Sequence, residues 1–154
     1  MADLLWRQDL PFLIEFSHFT LQESDEDAVP VPYPDAPDFD AHFLTEHVRR
    51  IDVVSAGHTH WTTLECEVWD ARPPADDCID WDEQVDAHID SPSGEIVVWT
   101  GGGAVAEDIH LGRRGTNWGV RINCVGRKDA QWQASQGVPS GVERYSLQFW
   151  PMGR

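Results

Sequence analysis

Residues 143–151 read ERYSLQFWP, placing Tyr145, Leu147, Phe149 and Trp150 almost at the last residue, Arg154. Chain ends fray unless something ties them down. Parity decides between a greasy tail and a strand. Tyr145, Leu147 and Phe149 alternate with Arg144, Ser146 and Gln148, the period of two of a strand with one apolar face. The segment is therefore expected to close a sheet, with Pro151 ending the ladder.

The same alternation recurs along the chain. In HWTTLECEVWD, Leu64, Cys66 and Val68 alternate with Thr63, Glu65 and Glu67, a half-buried strand with an acidic outer face. NWGVRINCVG puts Trp118, Val120, Ile122 and Cys124 opposite Arg121 and Asn123. In PFLIEFSHFTL, Phe12, Ile14 and Phe16 share one face and Phe19 and Leu21 take the opposite parity, which calls for a bend or bulge near Ser17–His18. SPSG (91–94) is a turn signal ahead of EIVVWT, and it joins that strand to DWDEQVDAHID as a hairpin. One short helix fits DFDAHFLTEHVRRI, where Phe39, Phe43, Leu44, Val48 and Ile51 share a helical face. Asp38 or Asp40 would cap it. GRKDAQWQASQGVPSG reads as a loop before the last strand. The fold class is mostly β: a single-domain antiparallel β-sandwich over residues 1–154, with a small barrel as the alternative.

Charge is the strongest compositional feature. The net charge is −16, and residues 1–108 hold 25 acids against four arginines, while residues 109–154 hold two acids against seven bases. Such a surface repels phosphates and attracts basic partners at long range. Direct nucleic-acid binding is not expected, and no stretch is long and apolar enough to span a membrane. A Pro-rich acidic loop at about 22–40, with four prolines and seven carboxylates, is expected to be extended and solvated. The three cysteines, Cys66, Cys78 and Cys124, have no CxxC spacing, and two fall on core faces. No leader is visible at the start, and a cytoplasmic setting is expected.

Few residues suggest chemistry. In GHTHW, His58 and His60 would point the same way on a strand and could share a metal. TGGGAVAED lacks the ending of a phosphate-binding loop and reads as a wide turn. No nucleophile elbow or HExxH is present, and no cofactor is expected. Of the eight tryptophans, Trp6 and Trp132 are expected to be exposed and the rest, Trp61 included, to be mostly core. Three functions remain: a non-enzymatic binding module, a metal- or small-ligand-binding domain using His58 and His60, and a structural subunit contacting others through Trp132 or Trp6.

The ending ERYSLQFWP resembles the C-terminal stretch of the competence protein ComJ-like family, inhibitors of the DNA-entry nuclease. TEHV (45–48), GHTHWTTLE and the run from Trp81 into SPSGEIVVW are similar too, so the resemblance spans residues 43–151. Residues 22–40 have no counterpart in it. The resemblance implies a small β-rich, non-enzymatic cytosolic protein that silences a partner nuclease. Charge and exposure, read apart from the resemblance, would have a basic protein such as a nuclease or toxin meet Glu23, Asp25, Glu26, Asp27, Glu65, Glu67, Asp80, Asp82, Glu83 and Trp132.

Overall fold

The computed structural model describes residues 2–33, 35, 43–75, 79–134 and 143–152. Eleven strands and one helix follow in order. They are β1 (Leu4–Ile14), β2 (His18–Glu23), β3 (Leu44–His47), β4 (Arg50–Val54), β5 (His60–Trp69), β6 (Glu83–Ser91), β7 (Glu95–Thr100), β8 (Gly103–Ala104), β9 (Ile109–His110), β10 (Thr116–Val125), α1 (Arg127–Ala134) and β11 (Arg144–Pro151). Sheet one has the order β1-β5-β11-β10-β6, and sheet two the order β3-β4-β2-β7-β8, with β9 also on β7. One hydrophobic cluster between them takes side chains from both sheets, with Leu10, Phe12, Leu64, Val120 and Phe149 from one and Phe19, Leu21, Ile51 and Val98 from the other.

The parity of ERYSLQFWP holds: Tyr145, Leu147 and Phe149 are buried in this core. Its place differs from that of a closing strand. β11 sits in the middle of sheet one, antiparallel to β10 and parallel to β5, so the sandwich carries one parallel pair. A strand flanked on both sides is the most secure place for a chain terminus.

Both faces of β11 are covered, which alternation alone could not reveal. Residues 70–75 cross its outer face. There Arg121 Nη1 donates to the Pro73 carbonyl and to Gln148 Oε1, each at 3.1 Å. The Trp150 ring lies under the guanidinium groups of Arg72 and Arg121. It rests on Gly119, where a Cβ would stand 2.4 Å from Trp150 Cε2.

Several joints differ from the sequence reading. SPSG carries the chain from β6 in sheet one to β7 in sheet two, so it is a corner and not a hairpin. The expected helix over 39–51 is, from Leu44 onward, the β3–β4 hairpin, with His47 opposite Arg50. Its apolar spacing also fits a strand pair turned at Val48–Arg49, and Arg49 takes φ 60° to close that turn. Asp38 and Asp40 lie outside the described residues, as do Asp76, Asp77 and Cys78. The helix is instead α1, in the stretch read as a loop. RKDAQWQA is rich in good helix formers but has no apolar stripe to announce it. Asp82 Oδ2 accepts from the Arg127 N–H at 3.0 Å, satisfying a free amide in its first turn.

The acidic loop is also less solvated than its composition implies. Tyr33 stacks on Trp99 at 5.7 Å, and its hydroxyl donates to the Thr100 carbonyl. The buried Arg50, paired with Asp52, donates to the carbonyls of Val31 and Asp35. This segment covers the outer face of β2, so all six residues of that strand are buried.

Glu23, at the end of β2, is buried and accepts from Ser91 Oγ (2.6 Å), Ser93 Oγ (2.7 Å) and the amides of Asp25 and Ser93. It links sheet two to the end of β6 in sheet one. Burial would raise its pKa, but these donors outweigh burial and hold it below the ordinary 4.5. A carboxyl depressed by folding contributes stability that is present above pH 4.5 and lost as pH falls through the folded value. Glu23→Gln is therefore expected to lower stability at neutral pH and to flatten its fall on acidification below pH 4.5, read by urea denaturation across pH. An acid limb identical to that of the parent protein would contradict this.

Candidate protein-interaction surface

At one end of the sandwich β1 turns into β2, β5 and β11 begin, and β10 runs into α1. A buried polar cluster fixes this end. Glu143 Oε1 accepts from Ser55 Oγ (2.6 Å) and from the Tyr145 hydroxyl (2.5 Å), and Oε2 accepts from the Ala56 amide (3.1 Å). Arg127 Nη1 stands 3.7 Å from Oε2, and Thr62 Oγ1 donates to the Glu143 carbonyl. His60 Nε2 lies 2.6 Å from Ser55 Oγ, which also accepts from the Gly57 amide. Because Ser55 spends its single proton on Glu143, His60 must be the donor. Burial pulls the imidazole pKa down against the opposing pull of Glu143, consistent with a neutral ring. Burial and then Glu143 push the Tyr145 phenol far up, so it stays a donor.

Serine, histidine and glutamate in contact invite comparison with a hydrolytic triad. The roles do not match. In a triad the acid orients the histidine from the far ring nitrogen, leaving serine free to attack. Here Glu143 takes the serine proton, and both His60 and Glu143 are 0% exposed. The cluster is a structural brace.

Above the brace the chain makes a two-residue turn, Phe16–Ser17, closed by the Glu15–His18 bridge. Both residues have positive φ, 58° and 63°. A left-handed conformation costs a non-glycine residue on the order of 1–2 kcal/mol. Two backbone bonds hold the strain in place: Ser17 N to the His58 carbonyl (2.7 Å) and Ser55 N to the Ser17 carbonyl (2.8 Å). Parity would put Phe16 on the buried face of Phe12 and Ile14, but the left-handed turn begins at Phe16 and presents it outward, 61% exposed, edge-on to the His58 ring at 5.4 Å. It also explains two residues of the glycine run. A Cβ on Gly101 would meet the Phe16 ring at 2.3 Å, and one on Gly102 would meet Glu15 Oε1 at 2.3 Å.

Trp61 (49% exposed), at the start of β5, and Trp132 (67% exposed), on α1, lie at this same end. Trp132 is exposed as its sequence position suggested. Trp61 is not core, because it falls on the outer face of β5, opposite Leu13 of β1. Trp6 is half-buried, its indole N–H bonded to the His110 carbonyl.

The acidic residues singled out from the sequence do not form one patch. Glu23 is buried and cannot meet a partner. Asp25, Glu26 and Asp27 are exposed beside it, next to the β6–β7 corner. Asp80, Asp82 and Glu83 lie at the other end of β6, beside α1. Glu65 is paired with Arg144 (2.9 Å) and Arg7 (3.7 Å). Glu67 accepts from Gln148 and Trp69 in the outer face of sheet one. His58 and His60 are not presented together either: His58 is exposed in the turn before β5, and His60 is buried in the brace. No group of three or more His, Cys, Asp or Glu able to hold a metal occurs among the described residues. Cys66 and Cys124 are buried, and burial pushes the Cys124 thiol up to about 12, so neither is an activated nucleophile.

No family model matches the chain, and no curated protein matches it significantly in sequence. Solved structures do match, over nearly the whole length. ComJ from Bacillus subtilis, inhibitor of the DNA-degrading activity of NucA, aligns with a TM-score of 0.59 over 99% of both chains, at 10% identity. The chain shares its fold with ComJ. A protein described as crocagin biosynthetic gene J aligns with a TM-score of 0.60 over 97% of this chain and 100% of that one, at 11% identity.

Glu143→Gln would leave an amide nitrogen facing buried donors, and is expected to destabilise the domain by about 3 kcal/mol. Glu26→Gln, on the exposed loop, is expected to stay within about 0.5 kcal/mol. Urea denaturation of both variants is the check, and equal effects would contradict the brace.

Proposed function

We propose that this protein is a non-enzymatic inhibitory module that binds a basic DNA-degrading nuclease. The observation that carries the reading is the whole-length likeness of fold to ComJ, an inhibitor of a nuclease. Fold alone does not specify a partner, and the residues add physical support. A nuclease needs a positive cleft to hold phosphates, and a chain of net charge −16 is steered toward such a cleft. Steering charges need not be the contact residues. The end bearing Phe16, Trp61 and Trp132 supplies rigid aromatic anchors of the kind that dominate interface energies.

The test is DNA degradation by a panel of basic nucleases, NucA among them, with and without the purified protein. Stoichiometric inhibition of at least one is expected. Its affinity should fall steeply from about 0.1 M to about 1 M salt, as the screening length shrinks from about 10 Å to about 3 Å. Phe16→Asn retains a residue that tolerates positive φ, so it should keep the fold and lose about tenfold or more in affinity. Inhibition of no nuclease, or an affinity indifferent to salt, would overturn the proposal.

A further inference from the structure

Side chains bridge the two sheets at both open sides of the sandwich. On one side the His88 amide donates to Glu46 (2.6 Å) and Arg49 pairs with Asp90 (2.9 Å), binding the β3–β4 hairpin to β6. On the other, Gln8 exchanges hydrogen bonds with the Asp108 carbonyl (2.8 Å) and the His110 amide (3.2 Å), and Trp6 bonds the His110 carbonyl. Those bonds end at Gln8. From Leu10 to Glu15 the chain faces β8 and residues 105–107 across an open groove of about 370 Å³.

The groove has a distinct chemistry. Pro11, Leu13, Ala104 and Val105 give it apolar walls, and among the described residues its charged lining is Glu15 and Glu107, with no cation. Neither carboxylate has an ion pair among the described residues. By contrast Glu65, Asp86, Asp90 and Asp52 are all held by arginines. Glycine at 102 leaves the space in which the Glu15 carboxylate lies. Strand addition at this edge is disfavoured, because Pro11 has no N–H to offer to an added ladder. A single long side chain suits the space better. An apolar stem with a cationic head matches both the walls and the unpaired carboxylates.

We propose that this groove receives an arginine or lysine side chain from the partner protein, its stem along Leu13 and Val105 and its head group at Glu15 and Glu107. The identity of that partner rests on the nuclease reading above, while the affinity of the groove for the side chain does not. Phe16 stands beside the groove on Gly101, so anchor and pocket form one contact area.

Acetyl-arginine amide is the probe, titrated into ¹⁵N-labelled protein and followed by amide shifts. Saturable shifts confined to Leu13, Glu15 and residues 102–107 are expected. Acetyl-citrulline amide, of the same shape but uncharged, should bind more weakly. The double variant Glu15→Gln/Glu107→Gln, with an otherwise unchanged spectrum, should lose roughly tenfold in affinity. Shifts spread equally over Asp25–Asp27, equal binding of citrulline, or an unaffected double variant would each overturn the proposal. Arginine binding without inhibition of any nuclease would sink the nuclease reading and leave the groove standing. Inhibition without arginine binding would do the reverse.

Discussion

A buried carboxylate is costly to folding unless hydrogen-bond donors surround it. Glu143 meets that demand with a serine, a tyrosine, a backbone amide and an arginine drawn from the end of β4, from β11 itself and from the start of α1. The rest of the architecture follows from where those donors sit. They fix the start of β11 beside β5, set the parallel register in which Tyr145 faces Leu64, and tie sheet one to sheet two at that end. Glu23 does the corresponding work at the other end, joining β2 to β6 through Ser91 and Ser93. Two sheets in apolar contact alone could slide. A buried carboxylate at each end gives the sandwich one alignment, because any slip leaves a charge without donors.

That rigidity is what the Phe16–Ser17 turn draws on. Two adjacent residues with positive φ, neither of them glycine or asparagine, would relax in an isolated hairpin. They persist because Ser17 is bonded on both sides to the loop that also carries Ser55 and His58. The polar brace below and the exposed aromatic above are thus one construction, and the strain is expressed in how Phe16 is displayed.

The sequence disclosed those parts of the fold that follow from one-sided burial. The alternations in β5, β10 and β11 were legible because each pairs a core face with a polar one. The bend before Phe19 was legible because parity broke there. What stayed hidden depends on contacts between distant segments. Arg121 and Gln148 look like outward residues until residues 70–75 cover them. Glu23 and Glu143 look like two more acids in an acidic chain until serines from elsewhere surround them. Trp61 looks like core by type, and only its register opposite Leu13 exposes it. The groove was the least legible feature: Glu15 and Glu107 are far apart in sequence, and the glycine run offered only a turn. A missing Cβ at Gly102 is the nearest thing to a local signal.

The proposed function has this domain dock its Phe16 end onto a basic nuclease. Amide hydrogen exchange of the protein, free and bound to a nuclease it inhibits, tests that account most directly. Protection is expected at residues 15–17, 56–61 and 100–107, with Asp25–Asp27 unchanged. Protection confined to Asp25–Asp27, or to the outer face of sheet one, would contradict it.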